Sequence, residues 1–134
     1  SDDMLKLLAD KGGFVGIVAY TPFMPKGDAS TVEDVLDGYE HVIGLIGEDR
    51  VGIGTDFTQG QGVEFFEYLR SDKGFGRPLA EPVTKRPDNP KGLDGPAEYP
   101  NLTEAMMNRG WSEKRIRKVL GENWLAFLEE VWGG

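Results

Sequence analysis

Apolar residues along this chain recur at two spacings, one helical and one extended. Met4, Leu5, Leu7 and Leu8 fall at helical spacing behind Ser1, Asp2 and Asp3, any of which can cap a helix. Gly12 and Gly13 end that helix. FVGIVAY, Phe14 to Tyr20, is apolar almost throughout and predicts a strand buried on both faces, as in parallel sheets. TPFMPKGDAS is a loop with two prolines and a glycine, and Ser30 with Glu33 predicts a capping box. Val32, Val35, Leu36, Tyr39, Val42, Ile43 and Ile46 then form a helical stripe that stops at Gly47. VGIGTDF, Val51 to Phe57, is the second buried strand. The order helix, strand, helix, strand contains a βαβ unit, whose crossover is expected to be right-handed.

From Gly60 to Pro100 the pattern changes. A short helix, VEFFEYLR, is followed by GFGRPLAEPVTKRPDNPKGLDGPAEYP, rich in glycine, proline and charge. A loop of this length inside one domain is usually functional or mobile. The chain then returns to helices. Asn101 can cap LTEAMMNR before Gly110, and Ser112 can cap EKRIRKVL before Gly121. The last helix, NWLAFLEEVW, presents Trp124, Leu125, Leu128, Val131 and Trp132.

Two parallel strands leave unpaired edges and need both faces covered. Further strands must come from another chain, or the segment is part of a larger barrel or open sheet. Alternation puts Val51, Ile53, Thr55 and Phe57 on one face of the second strand and Gly52, Gly54 and Asp56 on the other. The bulky face suits helices, and the glycine face leaves space beside the strand. Gly16, Val18 and Tyr20 share a face of the first strand. In a (β/α)₈ barrel, sites form at the carboxyl ends of several strands, so Asp56 and Tyr20 would point into one mouth. A strand-ending aspartate can equally be a turn-former or a helix cap. A dinucleotide fingerprint is weak here, because GIGTDF lacks the third glycine and no clear helix opens directly after it. His41, the only histidine, reads as an ordinary helix residue.

Composition narrows the function. The 134 residues suffice for one domain with a real core. A net charge of -8 argues against a nucleic-acid partner. The short basic run Lys114, Arg115, Arg117, Lys118 reads as a solvated helix face. The absence of cysteine excludes disulfides and thiolate metal sites. No apolar run is long enough for a membrane span and no signal peptide opens the chain, so a cytoplasmic location with no membrane partner is expected.

DDMLKLLADKGGFVGIVAY, VEDVLDGYEHVIGLIGEDRVGIGTDF and EYPNLTEAMMNRGWSEKRIRKVLGENWLAFLEEVW together resemble the carboxyl-terminal part of the membrane dipeptidase (renal dipeptidase) family of metal-dependent amidohydrolases. The resemblance implies an α/β fold: the last part of a (β/α)₈ barrel, with residues 1–134 forming its carboxyl-terminal half and residues 60–100 a loop on the active-site side. It implies a dipeptide substrate, hydrolysed at its amide bond by a hydroxide bridging two zinc ions. Asp56 matches the family's acid at the end of the last barrel strand, thought to carry a proton from the bridging water to the leaving amine. Tyr20 matches a tyrosine near the substrate.

The departures are equally specific. The family's zinc ligands (a His-x-Asp pair, a bridging glutamate and two histidines) have no counterpart in these residues, so no metal ligand is assigned here. A substrate-binding arginine of the family lies before the matching segment. Relatives often read D-F-D-G where this chain has Asp56, Phe57, Thr58, Gln59 and Gly60, and Val18 stands where some carry asparagine. The expectation is a partial chain, inactive alone, that associates with the missing amino-terminal half. The competing expectation is a non-catalytic half-barrel that folds by self-association, as a homo-oligomer, or by pairing with another chain.

Overall fold

In a computed structural model, residues 1–69 and 88–133 are described. Helix α1 (Asp2–Asp10) follows Ser1, and the chain reverses through Gly12 at φ +75°. Strand β1 (Val15–Ile17) is shorter than the apolar run around it. The loop after it contains two single 3₁₀ turns, Thr21–Phe23 and Gly27–Ala29. Helix α2 (Val32–Ile46) is capped one residue later than expected, by Thr31 and Asp34. The Asp34 carboxylate accepts from the Thr31 main-chain N–H at 2.8 Å. Ser30 is instead buried, its N–H bonded to the Gly27 carbonyl. Gly47, at φ +80°, ends the helix.

Strand β2 (Val51–Ile53) pairs in parallel with β1 in the register Val15–Val51, Gly16–Gly52, Ile17–Ile53. Among the described residues these two strands are the whole sheet. Ile17, Ala19 and Val51 join Val35, Leu36, Tyr39 and Val42 of α2 in one core. Helix α4 (Tyr99–Asn108) adds Leu102, Ala105 and Met106, and Leu93 is completely buried beside them. Each buried leucine, isoleucine, valine or methionine side chain contributes about 1.5–3 kcal/mol. The other face of the sheet is partly open, since Gly16 and Gly54 are exposed. The expectation of strands buried on both faces therefore fails among the described residues, because nothing there packs over these two glycines.

Helix α3 (Val63–Leu69) matches the short helix expected, with Phe66 buried. Residues 70–87, including most of the proline-rich stretch, lie outside the described residues. Helix α4 begins before Asn101, which instead donates from its side-chain amide to the Gly92 carbonyl at 3.0 Å. Ser112 does cap α5 (Glu113–Arg117), accepting from the Arg115 N–H at 3.2 Å. Gly121 breaks the helical run as expected, its backbone leaving the helical range at φ 172° and ψ -29°. A π-helical turn, Lys118–Glu122, carries the chain around a kink at Gly121 into α6 (Asn123–Trp132).

The basic run is more than a solvated face. Arg115 and Lys118 both bind Glu48, at 2.7 and 3.1 Å, and so fasten α5 to the turn before β2. Arg109 ties α4 to α2, meeting Glu33 at 2.9 Å, Asp37 at 2.7 Å and Glu40 at 3.0 Å. The apolar stripe of α6 is largely exposed, with Trp132 at 77 %. Among the described residues no helix is long and apolar enough to cross a membrane.

Candidate active site

Strand pairing continues past the regular strands. The Gly54 N–H donates to the Ile17 carbonyl at 3.2 Å, and the Ala19 N–H to the Thr55 carbonyl at 3.1 Å. Tyr20 and Asp56 are the next residues, each following one member of this last bonded pair. At Asp56 the backbone turns to φ +62°, the one positive φ at a non-glycine among the described residues. An L-residue in this region costs about 1–2 kcal/mol, and aspartate tolerates it better than most. The side chain is exposed and makes no hydrogen bond or ion pair with the described residues. A strained backbone that presents a free carboxylate is a pattern found at functional sites.

Tyr20 is half-buried, its ring edge-on to Phe23 with centroids 5.0 Å apart. The glycine face is less empty than alternation suggested. A methyl group on Gly52 would lie 2.5 Å from Phe14 Cζ, so that space is filled from the amino-terminal side. A methyl group on Gly54 would lie 2.8 Å from the Gly16 Cα, so these two glycines allow the strands to approach closely. The face is thus closed at its start and open toward Asp56.

Several residues at this end carried no signal in the sequence. Thr21 is fully buried, and its hydroxyl donates to the Asp88 carbonyl at 2.6 Å. Lys91 donates to the Ser30 carbonyl at 2.9 Å and accepts from the Val32 N–H at 3.0 Å. The returning end of the long loop is therefore pinned across the exit of β1. Beyond Asp56, Phe57 stacks on Tyr99, with centroids 6.1 Å apart and 25° between planes. A cue was present in hindsight: Phe57 and Tyr99 belong to two of the motifs quoted above.

Among the described residues no group of three or more His, Cys, Asp or Glu side chains could hold a metal ion. His41 lies on the exposed side of α2 and meets Asp2 at 3.0 Å, far in sequence from Asp56. The donors among the described residues therefore do not by themselves make up a metal centre, and Asp56 is not joined there by two further such groups.

Comparison with known proteins identifies the context. The membrane dipeptidase pattern (peptidase family M19) matches residues 1–70 and 85–132. The chain is 29 % identical over 132 residues to dipeptidase tcpJ of Claviceps purpurea, covering 97 % of this chain and 25 % of that protein. Among solved structures, an amidohydrolase from Pseudomonas aeruginosa superposes with a TM-score of 0.90 at 48 % identity, covering 100 % of this chain and 41 % of that one. A metallopeptidase from Rhodobacter sphaeroides, liganded with a phosphinate mimic of the dipeptide L-Ala-D-Ala, superposes with a TM-score of 0.71 at 27 % identity, covering 98 % of this chain and 31 % of that one. The chain spans about a quarter of the length of the curated relative. The match runs through both strands, the helix between them and the carboxyl-terminal helices, and the chain belongs to the membrane dipeptidase family.

Proposed function

We propose that this chain supplies the carboxyl-terminal staves of a (β/α)₈ barrel that hydrolyses dipeptides. The observation that carries the reading is the exposed carboxylate of Asp56, at the end of β2 where the glycine face opens. A carboxylate there can take the proton of the attacking water as the new C–O bond forms. It can then return that proton to the amine nitrogen as the C–N bond breaks, releasing two amino acids. Asp56 stands three residues past Ile53, the last residue of β2, and directly after Thr55, whose carbonyl is still bound by the Ala19 N–H of the neighbouring strand's chain. A group held in this way suits the task better than one on an unanchored loop. Tyr20, leaving the neighbouring strand, is assigned a substrate contact.

The family is one of metallopeptidases. We assign the metal as zinc, held by protein outside the described residues, and derive no step through it. Two features support a larger barrel. The edge of β1 that is unpaired among the described residues borders a groove of about 640 Å³ lined by Ile17, Val18, Met24, Val35 and Val42, and also by Lys26, Asp34, Asp37 and His41. The free edge of β2 borders another of about 580 Å³, lined by Ile53, Tyr99, Met107 and Leu120. Each is where an adjoining stave and its helix would pack.

The experiment is complementation. This chain replaces the aligned part of the Pseudomonas aeruginosa amidohydrolase, and the assembled protein is assayed on a panel of dipeptides. Hydrolysis by the assembled protein and none by this chain alone is the expected result. Turnover by this chain alone, with stoichiometric zinc, would overturn it. The open edges also favour a second reading, in which two copies pair their sheets. Size-exclusion chromatography of this chain distinguishes them, because a dimer that persists on dilution belongs to the second reading alone.

A further inference from the structure

The left-handed backbone at Asp56 needs a cause, because its side chain makes no stabilising hydrogen bond or ion pair with the described residues. Backbone strain persists only where the flanking chain is held on both sides. Before Asp56, Thr55 is buried and its carbonyl is bound by Ala19, itself fully buried. After Asp56, Phe57 packs against the core and its ring stacks on Tyr99. Tyr99 opens α4, which is anchored by buried Leu102, Ala105 and Met106 and by Arg109 on α2. If Asp56 relaxed to an extended conformation, the chain beyond it would change direction and Phe57 would leave Tyr99. The stack and the conformation of Asp56 are therefore one linked choice.

We propose that Phe57 and Tyr99 are positioning residues: their stacked rings hold Asp56 in its left-handed conformation, so that its carboxylate sits at the open end of the glycine face. This rests on the reading of Asp56 as the proton carrier. Neither ring touches the reacting atoms. They act through the backbone between them and the acid, and the effect belongs in kcat rather than in substrate affinity.

The test has two arms. In this chain alone, NMR reports the Asp56 backbone through its intraresidue amide-to-Hα cross-peak, which is intense at positive φ. Phe57→Ala and Tyr99→Ala are expected to weaken that cross-peak, while Phe57→Tyr and Tyr99→Phe, which keep a stack, preserve it. In the assembled dipeptidase, Phe57→Ala is expected to lower kcat about 10- to 100-fold, the range that misplacing a reacting group can cost. KM and metal content should stay within about twofold of the unsubstituted protein, a margin far below that range. Phe57→Tyr should restore most of the lost kcat. If Phe57→Ala does not fold, Phe57→Leu takes its place with the same expected direction.

An unchanged cross-peak, or an unchanged kcat in both alanine variants, overturns the positioning role. Asp56→Asn separates this from failure of the underlying reading. If that variant keeps full turnover, Asp56 is not the proton carrier. If it loses turnover while the ring variants do not, only the positioning role falls.

Discussion

The side-chain amide of Asn123 donates to the main-chain carbonyl of Val51 at 2.8 Å, so the first residue of α6 holds the first residue of β2. The same amide also donates to the Glu48 carbonyl, and Asn123 is only 5 % exposed. Asn123→Ala would leave two carbonyls short of a donor in a buried place. We expect a loss of about 1–3 kcal/mol, read as a lower urea midpoint with an unchanged slope. Asn123→Asp should be at least as damaging, because a carboxylate offers no donor to either carbonyl.

Glycine spacing gives a second prediction. Gly52→Ala would push a methyl group against Phe14 Cζ, and Gly54→Ala would push one against the Gly16 backbone. Both should destabilise by about 1–3 kcal/mol, the usual cost of overpacking. They should differ in rescue. Phe14→Leu should recover part of the Gly52→Ala loss, since a side chain can yield, whereas no side-chain change should recover Gly54→Ala. A double-mutant cycle on thermal unfolding measures the difference.

Acid sensitivity follows from Glu48. The Arg115 and Lys118 side chains that hydrogen-bond to it hold its pKa below the ordinary glutamate value in the folded chain. The unfolded chain therefore takes up this proton first as the pH falls. The stabilisation is complete above the ordinary glutamate range, about pH 4, and is lost as the pH drops through the lower folded value. Glu48→Gln should lower stability at neutral pH and flatten the loss below about pH 4, the ordinary range for the group removed. Denaturant unfolding of both forms across this range checks it, and parallel profiles would contradict it.

Arg109 provides the fourth. Its guanidinium meets Glu33, Asp37 and Glu40 and also donates to the Glu33 carbonyl at 2.8 Å. Its partners are substantially exposed, which reduces what each pair is worth. Arg109→Ala should cost about 1–2 kcal/mol. Arg109→Lys should recover less than half, because an ammonium cannot reproduce a planar fork of donors. Chemical denaturation at low and high salt separates the ionic part.

Much of this architecture was legible because it follows short-range rules. The stripe from Val32 to Ile46 marked α2, and Ser112 marked the start of α5. Where reading failed, a distant contact decided the matter. The cap of α2 moved to Thr31, whose neighbour Val32 is bonded to Lys91 across the chain. The glycine face seemed empty from alternation, but Phe14 fills its beginning. At the candidate site the residue was legible and its conformation was not. Aspartate at a strand end can be read from the sequence, while φ +62° depends on what Thr55 and Phe57 touch.

The most direct measurement is dipeptide turnover and metal content of the assembled dipeptidase carrying Asp56→Asn. With the charge removed and the shape kept, kcat should fall about 10²–10⁴-fold, the range for a group that moves a proton in the transition state. Bound metal should be unchanged. Full turnover in that variant would contradict the account, because the acid at the end of β2 would then have no part in the reaction.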